Sequence, residues 1–314
     1  MMRFVTYASP AGDDRVGVVV ADPTGDRVHG FEPGVTLLDV LDRGQLRQAG
    51  ERAAASPSET LSLDGLVLRA PLQPRSIRDC MGFLQHLRNC GGAADMPVDE
   101  RHHQFPVFYF SNPAAVVGPH DDVPIAPNSE MFDYELEIAA VIGRAGSTIP
   151  LGRAEEHIAG YMLLCDWSAR DLQMNEMPLR LGPAKGKDTA NTLGPMLVTP
   201  DELEPYRSRN AFDLEMTGYV NGELVSKGRW NTIDWGFPDM ITYTSRGTTL
   251  RVGDVIGSGT VDTGCLFEHY SIDRDNFRGW LRPGDEVHLV VERLGELRQR
   301  VVAGVKAEPL STGY

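Results

Sequence analysis

A chain of 314 residues can hold one large or two modest domains with ample core. Its 30 Lys and Arg against 44 Asp and Glu give a net charge of −14, with no basic cluster, which excludes a nucleic-acid or anionic-membrane surface. No apolar run of spanning length, no secretory leader and no N-x-S/T sequon occurs, and Cys80, Cys90, Cys165 and Cys265 form no CxxC pair, so a reduced, cytoplasmic protein without a zinc or redox motif is expected. The 33 Gly and 21 Pro, set among short apolar runs, predict many turns and a β-rich architecture.

The first 68 residues read as a small unit. RFVTYAS and RVGVVVAD alternate as a hairpin joined by PAGDD, and DPTGDRVHGF adds a second turn and strand. Val35 to Ala55 carries apolar and charged residues at helical spacing. Nothing in this unit carries chemistry. Ala70 to Pro74 is a proline-flanked linker, so residues 1–70 form one domain and 75–314 a second.

The second domain opens on SIRDCMGFLQHLRNCGG, with Asp79 and His86 six residues apart. A lone histidine is more often structural than catalytic. Cys90 to Gln104 is polar and glycine-containing and predicts a mobile loop over a site, with His102 and His103 solvated. Tyr109 lies in a strand, PVFYF, where it either packs in the core or faces a ligand.

The richest stretch is Met131 to Lys187. In FDYELEIAAVIG, strand alternation puts Glu135 and Glu137 on one face and Leu136, Ile138, Ala140 and Ile142 on the other. An ExE pair is commonly a solvated face. Two buried carboxylates side by side would repel, and a hard cation (Mg²⁺, Ca²⁺ or Mn²⁺) is the economical reason to put them there. A short helix is expected around Arg153 to Ala159, stopped at Gly160. YMLLCDW then reads as a buried strand with Asp166 near its end. Ser168 and Asp171 have the spacing of a capping box for a helix carrying Arg170 and Gln173 on one face.

GPAKGKDT fails as a phosphate loop, because only three residues separate Gly182 from Gly186 and Asp188 follows Lys187. GSGTVD at Gly257 lacks the last glycine of a dinucleotide fingerprint. The C-terminal third is β-rich, with an Asn221-Gly222 hairpin and turns at Gly253-Asp254 and Gly284-Asp285.

YELEIAAVIG, then GYMLLCDWSARDLQ, then LGPAKGKDTANTLGPMLVT, in that order, resemble the fumarylacetoacetate hydrolase family, from about Arg75 to the chain end. The resemblance implies an α+β fold: a small N-terminal β domain, and a C-terminal mixed β-roll with peripheral helices. It implies a Mg²⁺ (or Ca²⁺ or Mn²⁺) centre on Asp79, Glu135, Glu137 and Asp166, with His86 as base and Glu268 supporting it. Arg170, Gln173 and Lys187 would stabilise oxyanions, and Tyr109 and Thr260 would face the substrate, a small keto acid. A homodimer is implied by the resemblance alone. Short family members carry Glu three residues after the histidine; here Asn89 stands there, which favours the longer, fumarylacetoacetase-like arrangement.

The activity expected is metal-dependent hydrolysis of a C–C bond in a β-diketone or acylpyruvate-type acid. His86 would activate water, and the departing carbon would leave as a stabilised enolate. Decarboxylation or tautomerisation of a 2-oxo acid on the same scaffold is the rival. His86 and Glu268 speak for hydrolysis on the reasoning that the rival reactions need no base-activated water. A non-catalytic, metal-stabilised binding protein is a further rival, but no catalytic residue is missing. In the longer type an Arg nine residues beyond the base binds a substrate carboxylate; Asp95 stands there, and Met81 and Met177 stand where tyrosines are expected, so a less acidic or bulkier acid than fumarylacetoacetate is implied.

Overall fold

The computed structural model describes residues 1–91 and 98–313. Part of the expected Cys90–Gln104 loop, with Asp95, therefore lies outside the described residues. The expected α+β architecture is present: short helices decorate a 12-stranded sheet and a five-stranded one.

The organising strand is Leu136–Ile142, buried at all seven positions. Burial on both faces corrects the half-buried strand that alternation suggests. Leu136, Ile138, Ala140 and Ile142 enter the main core, while Ala139 and Val141 enter a second one. That second core also holds Leu37, Val40, Leu41, Ala49 and Ala53 from the N-terminal helices. The face that bears Glu137 at one end of the strand is thus capped by N-terminal apolar residues at the other.

Neighbouring strands follow by ordinary antiparallel pairing. Ile158–Asp166 pairs on one side, with Glu137 opposite Leu164. Val255–Gly257 pairs on the other side and is followed in parallel by Ile77–Cys80, with Gly257 opposite Asp79. Phe108–Ser111 closes that edge, with Tyr109 opposite Asp79. Beyond Ile158–Asp166 comes Asn191–Val198, and then the N-terminal hairpin of Arg3–Ala8 and Asp14–Val20. The N-terminal strands therefore extend the same sheet. The smaller sheet runs Glu223–Arg229, Glu215–Val220, Glu286–Val291, Gly295–Val302 and Val123–Pro124.

Local chemistry explains most boundaries. Asn221 and Gly222 both take positive φ, as a two-residue hairpin turn requires. The helix expected over Val35–Ala55 is two, Leu37–Asp42 and Leu46–Ala55, parted where Gly44 turns left-handed at φ +62. The helix expected at Arg153 to Ala159 is a 3₁₀ helix, Leu151–His157, and Gly160 is a strand residue whose added Cβ would meet the Val198 carbonyl oxygen at 2.6 Å. Close strand approach, not helix termination, is what that glycine serves. Among the described residues no helix is long and apolar enough to cross a membrane.

Candidate active site

Four carboxylates converge at one end of the central strands. Asp79 comes from Ile77–Cys80, Glu135 and Glu137 from the start of the central strand, and Asp166 from the last position of its neighbour. One oxygen from each lies within 4.8 Å of the others, and none of the four residues is more than 5% exposed. Gly257 makes room: a Cβ there would stand 2.3 Å from Asp79 Oδ1, so only glycine lets Asp79 lean across towards Glu137. Gly259, at φ +77, donates its N–H to Glu137 Oε2 at 3.1 Å and to Asp79 Oδ1 at 3.3 Å. Thr260 Oγ1 donates to Glu137 Oε1 at 3.3 Å.

Among the described residues, cationic side chains reach only one side of this group. Lys187 Nζ is 2.7 Å from Asp166 Oδ2 and also bonds Glu135. Arg170 lies 2.8 Å from Glu135 Oε1 and 2.8 Å from Asp133 Oδ2, and its Nη1 donates to Gln173 Oε1 at 3.1 Å. Tyr109 Oη donates to Asp166 and, at 3.3 Å, to Asp79.

The titration pattern follows. Burial opposes ionisation of Glu135, but Lys187 and Arg170 outweigh it and hold its carboxyl below the usual range. Among the described residues Glu137 has no cation beside it; burial, then the charges of Asp79, Glu135 and Asp166, push it well above the carboxylate range. Burial also raises Asp79. It pushes Asp166 up to about 8 against the pull of Lys187.

Four buried oxygen donors with too little positive charge fit a hard divalent cation. One more observation agrees: Asp166 Oδ1 is buried and has no hydrogen-bond partner among the described residues. A carboxylate oxygen left bare is costly unless something cationic meets it.

His86 sits on the helix Leu84–Cys90, buried at 5% exposure. Its Nδ1 is 2.8 Å from Glu268 Oε1, on the helix Leu266–Ile272. Glu268 Oε2 accepts from Asn89 Nδ2 at 2.5 Å and from the Thr263 N–H at 2.8 Å. Burial disfavours the imidazolium, but hydrogen bonding to Cys265 and Glu268 and the Glu268 charge prevail, and the His86 pKa rises to about 10.

A cavity of about 720 Å³ joins the two constellations. Its polar end holds Asp79, Glu135, Glu137, Arg170, Lys187 and Thr260, with His86 and Gln173 also on the wall. Met81, Leu87, Val107, Phe108, Met177 and Phe267 supply apolar surface. All eleven residues singled out from the sequence therefore meet at this cavity, Tyr109 included, with Asp166 and Glu268 held just behind its lining. His102, expected to be solvated, is half-buried and lines it too.

Two supporting residues escaped the sequence reading, and a third, Asn89, is read there only as a departure from the short family type. Asp133 is fully buried; it holds Arg170 and accepts the N–H groups of Leu266 and Phe267 at 2.8 and 3.0 Å. Its alternation with Glu135 and Glu137 (DxExE) was the available signal. Glu176 accepts the N–H groups of Ala184, Lys185 and Gly186 and so fixes the loop that delivers Lys187. Asn89 marks itself only by standing one turn after His86. The capping box does not form: Ser168 Oγ donates to the Asp166 carbonyl, and Asp171 accepts from Ser129 and Glu130. Ala169 is the N-cap, without a side-chain bond.

The family model described as fumarylacetoacetate (FAA) hydrolase C-terminal matches residues 75–302. The human mitochondrial oxaloacetate tautomerase FAHD2A is 30% identical over 312 residues, spanning 96% of this chain and 92% of that protein. The oxaloacetate tautomerase YisK of Bacillus subtilis (strain 168) is 31% identical over 285 residues, spanning 86% and 87%. Among solved structures, a fumarylacetoacetate hydrolase from psychrophilic Exiguobacterium antarcticum superposes with a TM-score of 0.77 at 27% identity, covering 96% of this chain and 100% of that one. A 5-carboxymethyl-2-hydroxymuconate delta-isomerase from Mycobacterium smegmatis gives 0.69 at 25%, covering 96% and 100%. With three-quarters of its length matched by the family model and a relative at 30% identity along nearly all of it, the chain belongs to the fumarylacetoacetate hydrolase family.

Proposed function

We propose that the protein interconverts the keto and enol forms of a small 2-oxo acid, with oxaloacetate the first candidate from the names of its relatives. The observation that carries this reading is the His86–Glu268 pair, 2.8 Å apart on the wall of the cavity that the four carboxylates share. Keto–enol exchange moves one proton between carbon and a positioned group, while charge develops on the neighbouring oxygen. It therefore needs an acid–base residue and an oxyanion site within one substrate length.

The pair does not by itself favour hydrolysis, as the sequence suggested, because a carbon-bound proton also needs a base. The protonation state is compatible with tautomerisation. With its pKa near 10, His86 meets the substrate as an imidazolium at neutral pH, fit to donate a proton to an enol carbon. Water activation, like removal of a carbon-bound proton in the keto-to-enol direction, starts from the neutral ring. Glu268 orients Nδ1 and leaves Nε2 to carry the moving proton, which returns there in the reverse direction. Arg170, Lys187 and Gln173 face the oxygen end of the substrate, and Thr260 holds Glu137 in place. Asp79, Glu135, Glu137 and Asp166 would hold Mg²⁺ (or Mn²⁺ or Ca²⁺), which when bound supplies Lewis-acid charge to the substrate's oxygens.

C–C hydrolysis of an acylpyruvate-type acid is the second reading. One observation favours it: the apolar surface from Met81, Val107, Phe108 and Met177 gives a longer acyl chain somewhere to lie. Proton NMR of oxaloacetate and of an acylpyruvate in D₂O with Mg²⁺ decides between them. Enzyme-dependent deuterium uptake at the carbon beside the 2-oxo group, with no cleavage products, is expected. Accumulation of the two cleavage acids, or release of CO₂, would overturn the tautomerase reading.

A further inference from the structure

No cysteine spacing in the sequence suggests a metal, yet the fold brings two distant cysteines to the catalytic histidine. A ring nitrogen of His86 and the Sγ atoms of Cys90 and Cys265 lie within 4.8 Å of one another. Cys90 Sγ is 3.6 Å from His86 Nε2, and Cys265 Sγ is 3.8 Å from Glu268 Oε1. In a tetrahedral zinc site, with Zn–S near 2.3 Å and Zn–N near 2.1 Å, ligand atoms stand about 3.6 to 3.8 Å apart along the edges. Cys90 Sγ stands at that distance from Nε2 and at 3.8 Å from Nδ1, beside the ring.

The second shell fits as well. A zinc-bound imidazole usually donates its other N–H to a carboxylate, and Nδ1 of His86 already pairs with Glu268 at 2.8 Å. Cys90 is half-buried and lines the cavity, so an ion has a route in; Cys265 is fully buried behind the lining. The two centres differ in hardness. Four carboxylates suit Mg²⁺, whereas two sulfurs and an imidazole suit a d¹⁰ cation.

We infer that His86, Cys90 and Cys265 form a second metal site, selective for a thiophilic divalent cation of the zinc class, whose occupation stops turnover by capturing His86 Nε2. Binding converts two thiols to thiolates and displaces the Nε2 proton of the His86 imidazolium, releasing three protons to solvent, so affinity rises with pH. The binding claim is independent of the reaction; the inhibition claim rests on the acid–base role proposed for His86.

Cobalt(II) is the probe for binding. With Mg²⁺ saturating, one equivalent of cobalt should give the wild-type protein thiolate-to-cobalt charge-transfer absorption and tetrahedral d–d bands. Both should be lost in Cys90→Ser. An oxygen-only site gives no sulfur band, so a wild type without it, or a band that survives in Cys90→Ser, overturns the site. This measurement uses no substrate and stands or falls apart from the tautomerase reading. Inhibition is then read by titrating zinc at saturating Mg²⁺, each protein being referred to its own zinc-free rate. Loss of a ligand should raise the half-inhibitory zinc concentration at least about tenfold in Cys90→Ser and Cys265→Ala. Equal zinc sensitivity in all three proteins would assign the effect to the carboxylates and refute the switch.

Discussion

Lys187 Nζ stands 2.7 Å from Asp166 Oδ2 and also bonds Glu135, so an ammonium of the chain already occupies one side of the carboxylate cradle. Asp79 and Glu137, on the other side, have only hydrogen-bond donors. The site is therefore electrostatically lopsided, and the two sides should respond differently to mutation.

Lys187→Met should destabilise the metal-free protein by about 3–5 kcal/mol, the usual cost of stripping one partner from a buried ion pair. Mg²⁺ should restore most of that loss, because Asp166 then joins Asp79 and Glu137 as a third uncompensated carboxylate and strengthens the attraction for the ion. Thermal unfolding with and without Mg²⁺ measures both effects. A mutant melting like wild type without metal would show that Lys187 does not balance the cluster.

Glu135 and Glu137 divide in the same way. Removing either relieves like-charge repulsion, but Glu135 neutralises Lys187 and Arg170, whereas Glu137 neutralises no side chain among the described residues. Glu135→Gln should cost the metal-free protein about 3–5 kcal/mol. Glu137→Gln should stay within about 1 kcal/mol of wild type. Both should weaken Mg²⁺ binding, which isothermal titration calorimetry would report.

The pH dependence has a definite sign. Asp166 is raised from 3.8 to about 8, so between those values the native state holds a proton that the unfolded chain has lost. That contribution to stability is full below pH 4 and is lost as pH rises through 8. The melting temperature of chelated protein should fall from pH 5 to pH 8, by roughly 5 °C or more. With saturating Mg²⁺ the fall should vanish, since the ion replaces the proton. A chelated protein that gains stability over this range would contradict the buried, proton-sharing cluster.

How much of this was legible in the sequence depends on distance along the chain. The ExE strand, Asp166 and the Arg170–Gln173 helix face are local patterns of period two or three, and they survive folding intact. The capping box failed because Asp171 found better partners, Ser129 and the Glu130 N–H, some forty residues away. Gly257 and Gly259 looked like a broken dinucleotide fingerprint; their purpose, room for Asp79 and an N–H for Glu137, exists only once the strands are side by side. The convergence of Cys90 and Cys265 is 175 positions distant in sequence and has no local signature.

The decisive lesion is at His86. His86→Ala should lower the rate of deuterium uptake at carbon by about 10²–10⁴-fold, the usual worth of a positioned acid–base group. Mg²⁺ affinity should barely change, because the proposed ligands are all carboxylates. Glu268→Gln offers a subtler check, and the geometry makes it harsher than a simple isostere. Three nitrogen donors, from His86, Asn89 and Thr263, and the Cys265 thiol converge on the two oxygens of Glu268, and an amide has only one oxygen to give. At least one donor would face an NH₂ group. The imidazolium would also lose its counter-charge, so its pKa should fall from about 10 towards the ordinary histidine value near 6.5. For enol-to-keto conversion the active form is the protonated ring, so activity is lost as pH rises through that pKa. The basic limb of the kcat/KM profile should therefore move to lower pH in Glu268→Gln. A purely structural role for Glu268 would lower the rate at every pH without moving that limb. An unmoved limb, or a His86→Ala protein that exchanges deuterium at the wild-type rate, would remove the pair from the mechanism.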